Sequence, residues 1–194
     1  MRILFKTNYK QDLNLAKHGG HRFWYGLLIL VLFAAPLILG GYYIGEATRI
    51  LIYAMAGLGL MVLTGFTGQV SLGHAAFLAI GAYTNAWFLA QGFSSFVALP
   101  MAALLSMIGG LLVAIPAARM SGIYLAIATL AFAIIVEDFA GHLNSITGGN
   151  RGMMVDVPML FGYQMWEPWE LYLLVLIILI AATLAVLNIL RSPL

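Results

Sequence analysis

Six long apolar runs, at residues 23–44, 50–64, 70–90, 96–116, 123–142 and 170–190, alternate with short polar stretches. A helix needs about 20 apolar residues to cross the roughly 30 Å hydrocarbon core of a bilayer. The runs show no alternation of apolar and polar positions, so they predict membrane-spanning helices rather than strands. The expected fold is all-α, a multi-pass transmembrane helical bundle of about six spans. The second run is the exception. Residues 50–64 number only 15, a helix of roughly 22 Å, short of the core thickness. The sequence Gly65-Phe66-Thr67-Gly68-Gln69-Val70-Ser71-Leu72-Gly73-His74 follows directly, with no lysine or arginine to mark an aqueous loop. A broken or re-entrant glycine-rich segment is therefore expected near residues 65–74, partly at membrane depth.

Composition supports this reading. Hydrophobic residues make up 63% and charged residues 8%, against roughly 45–50% and about 25% in soluble domains. So few charges cannot cover the surface of a soluble 194-residue domain, which excludes a cytosolic enzyme and a disordered chain. A net charge of only +2 excludes a nucleic-acid binder driven by a basic face. Cysteine is absent, so there is no disulfide, thiolate nucleophile or cysteine metal site. The first apolar run is too long for a secretory peptide and no A-x-A site follows it, so it reads as a retained span.

Cytoplasmic segments of membrane proteins are enriched in lysine and arginine. Arg2, Lys6, Lys10, Lys17 and Arg22 place the N-terminal tail inside, and alternating spans then put Arg119 and Arg191 inside as well. Arg49 and Arg151 fall outside, a split of seven to two that supports an even number of crossings. The chain thus divides into a cytoplasmic basic tail at residues 1–22 and a transmembrane domain at 23–194. The tail reads as solvated rather than as a helix lying on the membrane, because its apolar spacing is poor. Trp166 and Trp169 close the longest outer loop, 143–169, and read as interface anchors.

The interruptions carry the candidate chemistry. Non-helical backbone at membrane depth is tolerated only inside protein or beside a water-filled cavity, and glycine-interrupted spans point to substrate sites in transporters. Thr67, Gly68, Gln69, Ser71 and His74 are the candidate solute-pathway residues. On the residues alone, a tight turn that satisfies only its own backbone explains the segment equally well. His74 reads as a hydrogen-bonded packing histidine before a proton relay. Thr147-Gly148-Gly149-Asn150-Arg151-Gly152 reads on composition as a surface turn, with an outer gate or docking surface as the functional alternative. Glu137 and Asp138 are candidates because carboxylates within spans are costly, although a fifth span that ends early, leaving both at the outer interface, explains them at least as well. Being adjacent on a helix, they point about 100° apart and cannot both face one small solute.

Ala75, Ala79, Ala82 and Ala86 form a small-residue stripe expected to pack helices closely, and Gly41 and Gly45 form a GxxxG at the end of the first span. His18 and His21 are too few ligands for a metal site, and no metal site is expected. All three lysines precede residue 18, so there is no GxxxxGK[ST] loop, and HExxH and GxSxG are absent too. No catalytic constellation is present.

The run GFTGQVSLGHAAFLAIGAY, residues 65–83, resembles the signature of permease subunits of branched-chain amino acid ABC importers, of the LivM type. PAARMSGIYLAIATL (116–130), IVED (135–138) and TGGNRGMM (147–154) agree with the same family in order and spacing. The resemblance implies a permease domain for ATP-driven, alternating-access import of leucine, isoleucine or valine across a bacterial inner membrane. It implies a second permease subunit, cytoplasmic ATPases that bind the ATP and magnesium, and a periplasmic or extracellular substrate-binding protein. The chain itself is then no enzyme and carries no cofactor, and its surroundings are the lipid bilayer rather than nucleic acid. Glu137, Thr147, Gly148 and Gly149 become candidates for the outer gate or docking zone, and Phe66, Phe77 and Leu78 for an apolar wall of the pathway. Family members continue past the position of Leu194 into a cytoplasmic coupling loop and further spans, so the resemblance implies C-terminal truncation. Permeases for urea or short amides share the motif, and a passive channel is the alternative from another class. A membrane scaffold ranks last, for want of an extramembrane domain.

Overall fold

The computed structural model describes residues 19–117, 119–120, 122–155, 157–160 and 162–191, and most of them are helical. In chain order these are α1 (Gly19–Ile38), α2 (Gly41–Met61) continued by a π-helical turn (Val62–Phe66), and α3 (His74–Ala90). There follow α4 (Ser95–Ala117), α5 (Ile123–His142), the short α6 (Asn144–Thr147) and a 3-10 turn (Gly149–Arg151). A small antiparallel hairpin, β1 (Met159–Leu160) and β2 (Tyr163–Gln164), precedes α7 (Pro168–Arg191), with Met159 opposite Gln164. The predicted tail lies largely outside the described residues, as do His18, Asp156 and residues 192–194.

The protein is a multi-pass helical membrane protein. Among the described residues, four helices are long and apolar enough to cross a membrane: Gly41–Phe66, Ser95–Ala117, Ile123–His142 and Pro168–Leu190. The apolar part of α1, Phe23–Ile38, is shorter, and α3 has 17 residues interrupted by Thr84 and Asn85. Of the six expected spans, four thus correspond, among the described residues, to helices long and apolar enough to cross a membrane.

The first two boundaries differ from expectation. The first helix ends at Ile38, with the break at Leu39–Gly40, and the second is no short run but a 26-residue helix from Gly41 to Phe66. Residues 45–49, which read as a loop by their polarity, are absorbed into this helix. Glu46 and Arg49 lie one turn apart and pair at 2.9 Å on its exposed face, and Thr48 Oγ1 donates to the carbonyl of Ile44 at 2.8 Å. Gly41 and Gly45 consequently open α2 and do not mediate close packing: a Cβ at Gly41 would sit 3.8 Å from Pro168 Cγ, and one at Gly45 would meet open space.

Two compact units are present. One contains α1, α2 as far as Tyr53, and α7. Its core joins Ile44 and Leu51, two turns apart on α2, to Tyr172, Val175 and Leu176 on one face of α7. The Tyr172 hydroxyl donates to the carbonyl of Leu32 at 2.9 Å, which ties α1 to α7 and satisfies a polar group away from water.

The other unit, Ala54–Trp166, is built on α3 packed against α4 and α5. Lipid tails are as apolar as leucine, so helices in a membrane associate through close fit and interhelical hydrogen bonds. Both are seen here. Ser106 Oγ donates to the carbonyl of Phe77 at 3.1 Å, and Ile80 Cδ1 sits 3.1 Å from the position of a Cβ at Gly109. Phe77 also stacks on Phe132 of α5 at 5.5 Å. The alanine stripe does not do this work: Ala86 is buried, but Ala75 and Ala82 are exposed, and Ala75 and Ala79 line an open cavity. Ser94 Oγ, at the α3–α4 turn, donates to the Met159 carbonyl at 3.0 Å and holds the hairpin.

Candidate functional site

The broken segment is real, and its end of α2 explains how the helix stops. In the π-helical turn the backbone bonding widens, and the Leu63 carbonyl accepts from both the Thr67 hydroxyl and the Gln69 amide, the latter at 3.3 Å. Thr64 Oγ1 donates back to Leu60 at 2.8 Å. Gly68 then turns the chain at φ +66°. Residues 67–73 are non-helical until His74 opens α3.

This backbone finds its partners on α5. The Leu72 amide donates to Thr129 Oγ1 at 3.0 Å, and that hydroxyl donates to Ala126 at 2.9 Å. Gly73 is buried so tightly on the same residue that a Cβ would lie 2.2 Å from the Thr129 carbonyl oxygen. The segment is thus docked on protein, as irregular backbone at membrane depth must be.

The docking opens a cavity of about 290 Å³ that brings together Thr67, Gln69, Ser71 and His74. Gly68 does not line it and serves the turn. Val62, Phe77, Val113 and Leu125 supply apolar wall. Of the three aromatic or aliphatic side chains expected there, Phe77 contributes, whereas Phe66 and Leu78 are exposed elsewhere. The His74 ring packs edge-on against Phe77 and lies 3.2 Å from where a Cβ of Gly59 would be. Its Nδ1 is buried without a hydrogen-bond partner among the described residues, so it packs by contact and not by the hydrogen bond expected. The cavity offers amide and hydroxyl groups beside aliphatic surface, and among the described residues no carboxylate, lysine or arginine lines it.

On the other side of α3 lies a larger cavity, about 550 Å³, between α3, α5 and the 149–152 turn. Glu137 lines it, while Asp138 points away and sits 3.3 Å from His142 Nδ1. The two carboxylates are divided as their adjacency requires. Arg151, Asn150 and Tyr83 line the same cavity; the sequence named Asn150 and Arg151 only as part of the Thr147–Gly152 turn, and Tyr83 not as a site residue.

The Thr147–Gly152 stretch is a built cap on α5 rather than a loose turn. The buried Thr147 hydroxyl donates to the carbonyls of Ala140 and Leu143 at 2.6 and 2.8 Å and accepts from the Gly149 amide at 3.2 Å. Gly148 and Gly149 take φ of +73° and +60°, and a Cβ would meet the Gly152 carbonyl at 2.2 Å and Asn144 Oδ1 at 1.9 Å respectively. Of the four residues expected at an outer gate, Glu137 and Gly149 reach the cavity; Thr147 and Gly148 shape the cap behind it. Among the described residues, no group of three or more histidines and carboxylates is placed to hold a metal ion.

Comparison with known proteins agrees with this architecture. The family described as branched-chain amino acid transport system / permease component matches residues 42–194. The high-affinity branched-chain amino acid transport system permease protein LivM of Salmonella typhimurium is 38% identical over 139 residues, 71% of this chain and 33% of that protein. LivM of Escherichia coli K12 is 38% identical over 144 residues, 73% of this chain and 34% of that protein. The chain spans about a third of the length of these curated relatives. No solved structure matches it.

Proposed function

The chain belongs to the family of permease components of branched-chain amino acid transport systems, and on that footing we propose that it forms the translocation pathway of an ABC importer for leucine, isoleucine and valine. The observation that carries the reading is the gathering of Thr67, Gln69, Ser71 and His74 around one cavity beside a broken helix. A branched-chain amino acid pairs a polar head with an aliphatic tail, and this cavity pairs hydroxyl and amide groups with Val62, Val113 and Leu125.

In this reading the chain works with a second permease, two cytoplasmic ATPases and an external binding protein in the bacterial inner membrane, its N-terminus cytoplasmic. ATP binding in the ATPases alternates the access of the cavity. The docked segment 67–73 is the element that such a rearrangement must move or brace, because it lines the cavity and is fastened to α5 through Leu72 and Gly73 at Thr129. The test is uptake by the importer assembled around this chain in proteoliposomes. ATP-dependent leucine uptake that isoleucine and valine inhibit, and urea does not, supports the proposal. Inhibition by urea, or leucine flux that persists without the ATPases, overturns it.

A further inference from the structure

Among the described residues the cavity beside the broken helix has no charged group to meet a zwitterion, yet an amino acid carries two charges wherever it goes at neutral pH. Stripping water from an unpaired ammonium or carboxylate costs several kcal/mol. A transporter for such a solute therefore needs a place where both ends find a partner. The larger cavity, on the opposite side of α3, supplies both signs. Glu137 of α5 and Arg151 of the glycine-rich cap line the same 550 Å³ space. Among the described residues neither has an ion-pair partner, so both are available to a ligand.

The rest of the lining suits the remainder of the molecule. Ala75, Ala79 and Val136 form a smooth aliphatic wall, so the first two alanines of the α3 stripe face the cavity rather than a neighbouring helix. We propose that this cavity is a reception site for free zwitterionic amino acids, with Arg151 holding the carboxylate, Glu137 the ammonium group and the alanine face of α3 the aliphatic side chain. Arginine suits the first role because its planar fork matches a carboxylate. The site's shape is fixed by Gly148 and Gly149, whose left-handed backbone turns Asn150 and Arg151 toward α5. The proposal rests on the permease reading and adds to it the recognition of the solute's two charges.

The experiment is equilibrium binding of labelled leucine to the permease assembly in nanodiscs, without the binding protein. Competitors are 4-methylpentanoate, which lacks the ammonium group, and 3-methylbutylamine, which lacks the carboxylate. Wild-type protein is expected to bind leucine and to reject both analogues. Glu137→Gln should weaken leucine roughly tenfold or more while gaining tolerance of 4-methylpentanoate, and Arg151→Gln should do the same for 3-methylbutylamine. Both side chains are exposed, so the variants should fold. Ala79→Leu, which fills the aliphatic wall, should weaken leucine more than glycine. Unchanged discrimination in both charge variants overturns the site. So does wild-type protein that fails to bind leucine; ATP-driven leucine uptake by that preparation with the binding protein restored would then leave the permease reading standing, and its absence would overturn that as well.

Discussion

A methyl group on Gly73 would fall 2.2 Å from the carbonyl oxygen of Thr129, closer than any real contact. This one approach fastens the broken segment to α5, and it makes the fit of the pathway cavity depend on a residue that does not line it. Gly73→Ala is expected to push the segment off α5, lower the melting temperature in detergent and abolish uptake. Thr129→Val removes the hydrogen bond from the Leu72 amide together with the hydroxyl's own bond to the Ala126 carbonyl, without a steric conflict, and should cost about 1–3 kcal/mol. Equal melting of Gly73→Ala and wild type would show that the segment is not held this way.

Gly59 and His74 form a second dependent pair. A Cβ at residue 59 would sit 3.2 Å from His74 Nε2, so Gly59→Ala must shift the ring by a few tenths of an ångström. The melting temperature in detergent is expected to fall, and the double variant Gly59→Ala with His74→Ala to recover part of it, because the smaller side chain removes the conflict. A double variant no better than the single one would place the defect elsewhere.

The cap gives a contrast between two neighbouring glycines. Gly149→Ala meets the Asn144 side chain, whereas Gly148→Ala meets the Gly152 backbone. Each also pays about 1–2 kcal/mol for a left-handed non-glycine backbone. Asn144→Ala should therefore restore part of the thermal stability lost in Gly149→Ala and none of that lost in Gly148→Ala. Equal rescue of both would contradict the geometry.

Gln69→Leu keeps the bulk of the side chain and removes its hydrogen-bonding groups. It should cut leucine uptake severely while the subunits still assemble, as judged by co-purification. Normal uptake in an assembled variant would remove Gln69 from the pathway.

Much of this was legible in the residues. The long apolar runs gave the helical membrane class, and Gly65 to His74 announced the break, because glycines and hydroxyls without flanking charge cannot be an ordinary loop. The division of Glu137 from Asp138 followed from helical periodicity alone. The boundary between the first two helices did not, since Glu46 and Arg49 look like a loop until their pairing across one turn is seen. The role of the alanine stripe was missed for a related reason: small residues at helical spacing are equally suited to packing and to lining a cavity, and only the position of α5 and the cap decides. Arg151 read only as part of a surface turn or outer docking segment, because it reaches its cavity through two left-handed glycines whose conformation a sequence does not display.

The chain contains no cysteine, so once the partner subunits are made cysteine-free a single introduced one reports without background. The central claim is that the cavity at Thr67, Gln69, Ser71 and His74 is the path of the solute. The decisive measurement is the rate at which a small methanethiosulfonate reagent modifies Gln69→Cys and Ser71→Cys in the assembled importer, with and without leucine, and with the ATPases locked in their ATP-bound state. The account predicts modification at both positions, slowing by leucine and a change of rate on ATP binding, with Leu78→Cys, which is exposed outside the cavity, indifferent to leucine. Modification at Gln69 and Ser71 that ignores both leucine and ATP would contradict it.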